Sequence, residues 1–189
     1  LFNQLNLKKH INIQNIDIRN YNRLFNYIKK IKPEIIFHLA AQPLIPKSYQ
    51  LPKYTYDVNS FGTLNLIDAL TKMKFVKSAI FVTSDKCYQS NESTKGFKEN
   101  DKLGGIDPYS GSKACAEIIV NTYYHSFFKN KISSGIATAR AGNVIGGGDW
   151  SKDRLIVDCI KSWVSNKKVS LRSPNATRPW QHVIEPLSG

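Results

Sequence analysis

Cysteine, methionine and long apolar runs are scarce in this chain of 189 residues. The 3 cysteines, Cys87, Cys115 and Cys159, are odd in number and lack metal-ligand spacing. They predict reduced thiols, no metal site and a cytoplasmic location. No run approaches the apolar length that spans a bilayer, and the first 30 residues are too polar and too charged for a signal peptide. The sequence therefore argues against a membrane-spanning protein and against a disulfide-rich secreted one, and we expect no membrane partner.

The single methionine, Met73, lies well inside the chain. The sequence begins at Leu1 without an initiator and stops at Gly189 without a terminating helix or tail, so we expect it to be an internal part of a longer protein. A length of 189 residues is enough for one domain with a sizeable core.

Acidic side chains are few, with 14 Asp and Glu against 27 Lys and Arg, which gives a formal charge of +13. Such an excess is a feature of many nucleic-acid-binding proteins. The lysines are scattered over predicted helix ends and loops, however, and form no compact basic stripe with interleaved aromatic residues. We therefore expect a solvated surface whose positive field attracts an anionic substrate, and no nucleic-acid partner.

Apolar strands and amphipathic helices alternate along the chain. The spacing of apolar residues predicts strands at 11–16, 35–39, 79–82 and 135–139, helices at 21–31, 55–73 and 110–124, and a polar loop at 89–102. The strand at 35–39 is nearly all apolar, which is typical of a strand buried on both faces. The alternation predicts an α/β fold, a doubly wound parallel sheet with helices on both faces.

Polar or small residues follow each predicted strand: Asp17, Ala40, Ser84 and Arg140. In open parallel sheets the ligand binds beyond the carboxyl ends of the strands, so these four positions predict one crevice for a nucleotide. A glycine-rich turn normally opens a dinucleotide-binding fold, and no glycine precedes Asp17. The glycines at 146–148 are an alternative, but no apolar helix follows them at once. We expect the first βαβ unit to lie upstream of Leu1.

The motif with the most chemical content is Tyr109-x-x-x-Lys113. On a helix both side chains lie on one face, and a nearby ammonium favours the phenolate, so the tyrosine can act as a base near neutral pH. With 9 tyrosines in this lysine-rich chain, about one such match is expected by chance. A second match, Tyr49-x-x-x-Lys53, contains Pro52, which makes a helix unfavourable there. Ser84, 25 residues before Tyr109, can hydrogen-bond the same substrate hydroxyl.

Several segments resemble the extended short-chain dehydrogenase/reductases, which include the NAD-dependent epimerases and dehydratases. The segments that carry this resemblance are 37–42, 83–88, 107–109 with Lys113, and 140–143. Two longer segments, 142–150 and 178–183, are similar to the nucleotide-sugar 4,6-dehydratases that act on CDP-glucose. The resemblance implies a Rossmann-like sheet that lacks its first βαβ unit, with residues 1–140 in the NAD-binding domain. It also implies that 141–189 begin a small nucleotide-sugar-binding region interleaved with that domain.

The resemblance also implies a reaction and roles for individual residues. CDP-glucose is oxidised at C4 by bound NAD, water leaves across C5 and C6, and hydride returns to C6, which gives CDP-4-keto-6-deoxyglucose for deoxysugars of surface polysaccharides. Tyr109 would remove the 4-hydroxyl proton, Lys113 would hold the phenolate and the ribose, and Ser84 would hydrogen-bond the 4-oxygen. Asp85 would protonate the departing 6-hydroxyl. Lys86 would act as the C5 base if its pKa is lowered, and it pairs with Asp85 or a phosphate otherwise.

Binding roles follow from the same resemblance. The cofactor positions are Asp17, which would accept from the adenine amino group, with Ile18, Ala40, Ala41, Gln42, Asn59, Tyr109 and Lys113. The substrate positions are Ser84, Asn143, Arg154 and Arg178, the arginines being suited to paired phosphate oxygens. A homo-oligomer is implied for the whole protein.

Two alternatives remain open. One is another nucleotide-sugar 4,6-dehydratase, or an epimerase, acting on a substrate such as dTDP-glucose or GDP-mannose. Those dehydratases carry a glutamate where this chain has Lys86, which favours the CDP-glucose branch. The other alternative belongs to a different class, a non-catalytic NAD(P)-binding sensor. Such proteins often lose the tyrosine or the lysine, whereas this chain keeps Tyr109 and Lys113.

Overall fold

The structure, a computed structural model, describes residues 3–89, 96–130 and 135–189. The chain forms two compact units: Asn15–Ala141 is one, and Leu1–Gln14 together with Gly142–Gly189 is the other. The assignment of residues 1–140 to NAD binding and of 141–189 to substrate binding stays a prediction. Residues 90–95 of the predicted polar loop lie outside the described residues.

The larger unit contains a parallel sheet of three strands in the order β1-β2-β3. The strands are β1 Ile35–His38, β2 Ser78–Val82 and β3 Gly135–Ala139. The register places Phe37 beside Ile80, and Ile80 beside Ala137. The predicted α/β class with a parallel sheet is confirmed, and these three strands form within one residue of the predicted ends.

One helix of this unit precedes β1, and the others lie between the strands. They are α1 Tyr21–Ile31, α2 Ile45–Gln50, α3 Pro52–Tyr56, α4 Gly62–Thr71 and α5 Pro108–Tyr123. Local signals explain the start of two of them: Asn20 Oδ1 accepts from Arg23 N–H at the start of α1, and Asp107 Oδ1 accepts from Ser110 N–H at the start of α5. Pro108 at the first turn of α5 has no N–H to leave unsatisfied.

The long helix predicted at 55–73 is interrupted. A π-helical turn, Asp57–Phe61, joins α3 to α4, and its last bond runs from Gly62 N–H to Asp57 O. The helical chain ends at Thr71, two residues before the predicted end. A second π-helical turn, Tyr124–Phe128, follows α5. Apolar spacing cannot distinguish such a turn from regular helix over a few residues.

The hydrophobic core lies on one face of the sheet. It joins α1, α4 and α5 to alternate strand residues, among them Ile28, Leu66, Phe81 and Val120. The other residues of β1 point away from this core, and Ile35 and Phe37 are 58% and 63% exposed. The prediction that residues 35–39 are buried on both faces is wrong, because the described helices of this unit pack on a single face.

Two further expectations differ from the structure. Residues 11–16 form no strand, and Ile11 and Ile13 are exposed. Alternation of apolar and polar residues gives a segment one apolar side, but a strand also needs a neighbouring strand for its backbone hydrogen bonds. The segment around Tyr49 and Lys53 is helical, although not one helix: α2 ends at Gln50 and α3 begins at Pro52. Prolines at the start of each helix are tolerated there.

The smaller unit has a two-stranded parallel sheet of β4 Asn143–Ile145 and β5 Trp180–His182, with α6 Leu155–Val164 and α7 Ile184–Ser188. As expected, residues 146–148 lead into a loop and not into a helix. A Cβ at Gly142 would lie 2.8 Å from Pro179 Cγ, so glycine allows this close approach. Over residues 3–89, 96–130 and 135–189, no helix is long and apolar enough to cross a membrane.

Candidate active site

The end of β2 carries the first group of candidate catalytic residues. Thr83 N–H donates to Ala139 O at 2.9 Å, and Asp85 N–H donates to Ala141 O at 3.1 Å. These bonds continue the pairing of β2 with β3 beyond the strand ends. Ser84 and Asp85 are therefore held at the carboxyl edge of the sheet, where parallel sheets bind their ligands.

The backbone turns after Ser84 into the 3₁₀ helix Asp85–Cys87. Ser84 Oγ accepts from Lys86 N–H at 3.3 Å and donates to Asp85 Oδ1 at 3.0 Å. Lys86 Nζ lies 3.9 Å from Asp85 Oδ1, and the two side chains are 29% and 30% exposed. A hydroxyl, a carboxylate and an ammonium that retains access to solvent therefore lie side by side.

Helix α5 supplies the second group. Tyr109 and Lys113 are one helical turn apart and both are buried. Lys113 Nζ donates to Val82 O, at the last residue of β2, at 3.1 Å, and α5 packs against the 3₁₀ helix Asp85–Cys87. The structure brings the Tyr-x-x-x-Lys motif and the segment 84–86 together.

The electrostatic environment of Lys113 is unusual for a lysine. Burial lowers the pKa of Lys113 to about 8, and the negative charge of Glu117 acts in the opposite direction. Burial, and to a smaller extent the charge of Lys113, lowers the pKa of His38 to about 4. His38 is therefore neutral at physiological pH, while Lys113 is mostly but not wholly charged.

Asn59, in the π-helical turn, connects the loop after β1 to α5. Its Oδ1 accepts from Gln42 N–H at 2.7 Å, and its Nδ2 donates to Gln42 O at 3.1 Å and to Ser112 Oγ at 2.9 Å. Ser112 Oγ donates in turn to Tyr109 O at 2.7 Å. Both N–H groups of the amide donate to protein acceptors, so Asn59 holds the loop after β1 against α5. Its contact with the cofactor stays a prediction.

Sequence reasoning missed Glu117. Its carboxylate is buried and accepts hydrogen bonds from Arg140, Thr83 and Thr138. The spacing of four residues between Lys113 and Glu117 could have indicated it, because this spacing places both side chains on the same face of the helix.

The positions predicted at the adenine lie before α1. Asp17 is exposed, and Arg19 holds its carboxylate with bonds as short as 2.6 Å, which together with the Arg19 backbone N–H lowers the pKa of Asp17 to about 2. Ile18 O accepts from Asn65 Nδ2 at 3.0 Å. Asp17, Arg19 and Asn65 line an open depression. Asp17 follows no strand in the structure, contrary to the prediction.

The remaining cofactor positions follow β1. Ala40 is exposed and Ala41 is half-buried. Gln42 is 4% exposed, and its side chain donates to Leu44 O and to Thr55 Oγ1, both at 3.1 Å. The short side chains of Ala40 and Ala41 leave the backbone accessible beside the end of β1.

The predicted substrate residues Asn143, Arg154 and Arg178 belong to the smaller unit. Asn143 Oδ1 and Arg154 Nε are buried atoms without a hydrogen bond within the described chain, although Arg154 Nε forms a 3.5 Å ion pair with Asp149. Arg178 is exposed and donates to Thr177 O at 2.7 Å. Unsatisfied polar atoms of this kind are suited to a polar ligand. No group of three or more metal-ligating side chains occurs among the residues that the structure describes.

A parallel α/β sheet with serine after one strand, and Tyr-x-x-x-Lys on the helix packed against it, defines a protein of the short-chain dehydrogenase/reductase class. The family model described as GDP-mannose 4,6 dehydratase matches residues 2–188, and the chain belongs to that family.

Individual relatives agree with this assignment. The chain is 49% identical over 177 residues to CDP-glucose 4,6-dehydratase of Salmonella typhimurium, a match that covers 92% of this chain and 49% of the relative. It is similar to the crystal structure of dTDP-glucose 4,6-dehydratase of Bacillus anthracis in complex with NAD, with a TM-score of 0.82 and 26% identity over 100% of this chain and 57% of the other. UDP-glucuronic acid 4-epimerase of Bacillus cereus shares the fold, with a TM-score of 0.81 and 20% identity over 97% of this chain and 55% of the other. The chain spans about half the length of the curated relatives that it matches.

Proposed function

We propose that the protein dehydrates CDP-glucose to CDP-4-keto-6-deoxyglucose with NAD as an internal hydride carrier. The observation that carries the reaction type is the placement of Tyr109 and Lys113 on α5 against Ser84, Asp85 and Lys86 at the end of β2. The choice of CDP-glucose rests on the 49% identical relative, which is a CDP-glucose 4,6-dehydratase.

The residues present fit one end of NAD. Lys113 is buried, and its ammonium group has three N–H donors, one of which binds the described acceptor Val82 O. A ribose has two hydroxyl groups that can accept hydrogen bonds from such an ammonium group. The solved dTDP-glucose 4,6-dehydratase, 26% identical, contains NAD. The sequence before Asp17 has no glycine for a pyrophosphate-binding turn, so the fit concerns the nicotinamide-ribose end of NAD.

The first half of the reaction uses α5 and Ser84. Bound NAD would supply hydride transfer, from C4 of the sugar and back to C6. Tyr109 removes the proton from the 4-hydroxyl, and the Lys113 ammonium favours the tyrosinate that does so. The Ser84 hydroxyl, which donates to Asp85 Oδ1 in the structure, would turn to donate to the developing 4-keto oxygen, polarising it and acidifying the C5 proton.

The second half uses the pair of Lys86 and Asp85. Elimination needs a neutral amine to take the C5 proton and a carboxylic acid to protonate the leaving 6-hydroxyl. Lys86 Nζ lies 3.9 Å from Asp85 Oδ1, so the two groups are close enough to act on neighbouring carbons of one sugar. Lys86 is placed in the role of the base and Asp85 in the role of the acid.

A substrate panel tests the proposal. The intact protein with NAD is offered CDP-glucose, dTDP-glucose, UDP-glucose and GDP-mannose, and formation of the 4-keto sugar is followed by its absorbance in alkali. We expect turnover of CDP-glucose at least tenfold more efficient than that of the others. A preference for dTDP-glucose or GDP-mannose would overturn the assignment of substrate, and no turnover of any of them would overturn the reaction.

The setting of the enzyme belongs to the same proposal. We place it in the cytoplasm as a homo-oligomer without a nucleic-acid partner, and the charge of +13 on these 189 residues attracts the anionic nucleotide sugar. Light scattering on the intact protein measures the oligomeric state, and a monomer at micromolar concentration would contradict this part of the proposal.

A further inference from the structure

Glu117 and Arg140 form a buried ion pair beside the proposed catalytic residues. Arg140 Nε donates to Glu117 Oε1 at 2.9 Å and Arg140 Nη2 donates to Oε2 at 2.8 Å, the two-pronged geometry of a strong pair. The Arg140 side chain is 17% exposed and the Glu117 side chain is 4% exposed. The pair joins α5 to the segment that follows β3.

Further bonds extend from this pair to the other catalytic segment. Thr83, the residue before Ser84, donates its hydroxyl proton to Glu117 Oε1, and Thr138 of β3 donates to Oε2 at 2.9 Å. Arg140 Nη1 donates to Tyr88 Oη at 2.9 Å and to Glu99 O at 2.9 Å. The chain carrying residues 84–86 is therefore fastened on both sides, at Thr83 and at Tyr88, to the same ion pair.

We propose that the Glu117–Arg140 pair is a positioning device for the reaction: Glu117 keeps Lys113 charged, and the pair aligns α5 with the segment 84–86. The inference rests on the proposed function for its catalytic meaning. Glu117 acts through Lys113 and touches neither substrate nor cofactor in this role.

The charges around Lys113 support this role. Lys113 interacts electrostatically with Glu117 on the same helix, with Cys87 of the 3₁₀ helix and with His38 of β1. Burial disfavours the ammonium form. His38 is neutral, and burial raises the pKa of the Cys87 thiol to about 11, so that thiol is uncharged at neutral pH. Glu117 is thus the anion in this set that favours the protonated form of Lys113. Burial acts to raise the pKa of the Glu117 carboxyl, but its hydrogen bonds, first of all from Arg140, outweigh burial and lower that pKa.

The test compares Lys113 in the wild type and in Glu117→Gln, using the intact protein. The variant keeps the size of the side chain and removes its charge. Lysine methylene signals are followed by NMR with ¹³C-labelled lysine, and Lys113→Arg identifies the Lys113 signal. We expect the proton affinity of Lys113 to fall about tenfold in Glu117→Gln, the usual effect of losing one close opposite charge. The alkaline limb of the pH profile of kcat/KM for CDP-glucose moves to lower pH by the corresponding amount, about one pH unit.

Two further variants separate charge from structure. Thr138→Val removes one bond to Glu117 and keeps the charge, so the Lys113 titration and the alkaline limb stay in place. Glu117→Gln combined with Arg140→Met removes both buried charges, a change that proteins tolerate better than loss of one partner. We expect the lowered proton affinity of Lys113 to persist in this double variant. An unchanged Lys113 titration in both Glu117 variants overturns the inference. The NMR titration needs no turnover, so a failure of the CDP-glucose assay in the wild type would overturn the proposed function alone.

Discussion

Asn59 donates a hydrogen bond of 2.9 Å to Ser112 across 53 positions of sequence, and this bond joins the π-helical turn to the first turns of α5. Asn59 also exchanges two bonds with the backbone of Gln42, so a single buried amide links the loop after β1 with the helix that carries Tyr109. Asn59 is 2% exposed, so its amide is almost inaccessible to solvent.

Asn59→Ala should destabilise the protein by about 2–4 kcal/mol, because it leaves the buried N–H of Gln42 without its acceptor and removes two further bonds. Denaturant unfolding of the intact protein measures the loss. Asn121→Ala is the matched control, since Asn121 is an exposed asparagine on α5, and it should change the stability by less than about 0.5 kcal/mol. Equal stabilities for the two variants would show that the Asn59 bonds contribute nothing.

Lys86→Ala and Tyr109→Phe should block different steps. With Lys86→Ala the sugar is still oxidised at C4, so the absorbance of reduced cofactor rises on addition of CDP-glucose and then persists. With Tyr109→Phe that absorbance should not rise, and turnover should fall on the order of 10²–10⁴-fold, the usual worth of a positioned general base.

Exchange of the C5 proton with deuterium from solvent distinguishes these steps directly. It should be seen in the wild type and nearly lost in Lys86→Ala. Normal exchange in that variant would mean that Asp85 or a bound water is the C5 base. Turnover that survives Tyr109→Phe would show that Tyr109 is not the base for the 4-hydroxyl.

His38 should make stability fall in mildly acidic solution. Its pKa is lowered in the folded protein from 6.5 to about 4, so between these values the unfolded chain binds the additional proton. Above pH 6.5 both states are neutral at this position and it contributes no pH dependence. As the pH falls from 6.5 to about 4, we expect a loss of about 3 kcal/mol that saturates at lower pH.

The variant that checks this is His38→Gln, which removes the titrating group and retains a polar side chain for Thr63. Unfolding free energies of both proteins are measured between pH 4 and 8. The difference between them should shrink as the pH falls through this window. A difference that stays constant would assign the acid sensitivity to carboxylates instead.

Gly105→Ala should disturb the start of α5. An added Cβ would overlap the backbone of Ser110 and Gly111, which cannot move without displacing Tyr109. A displacement of about 1 Å at a reacting group costs up to about 10²-fold in rate, and we expect kcat to fall by at least tenfold. Gly96→Ala is the control, because an added Cβ there has no atom within 4 Å, and its kcat should be unchanged. Equal activity of the two variants would contradict a close fit at Gly105.

Local signals account for the elements that the sequence predicted well. Asn20 at the start of α1, and Asp107 with Pro108 at the start of α5, are caps whose effect is confined to one turn, so they can be read without knowledge of the fold. The spacing of Tyr109 and Lys113 is equally local. These signals, together with the apolar run of β2, placed the candidate site at the carboxyl edge of the sheet.

The properties that could not be predicted depend on distant partners. The exposure of Phe37 depends on which helices cover the sheet, and not on its own strand. The pairing of Glu117 with Arg140 spans 23 positions, and each residue alone resembles an ordinary surface charge. Residues 11–16 have the alternation of a strand without a paired neighbour in the part of the chain described here.

The π-helical turn at Asp57–Phe61 makes this region sensitive to the number of residues and not only to their identity. The bond from Gly62 N–H to Asp57 O encloses one residue more than an α-helical turn does. Deleting one residue there would restore a regular helix but rotate everything before it by about 100° relative to α4. Thr55 and Asn59 would lose their hydrogen bonds with Gln42, although no chemical group at the reaction centre had been altered. In relatives of this chain, substitutions in this turn should therefore be far more common than insertions or deletions.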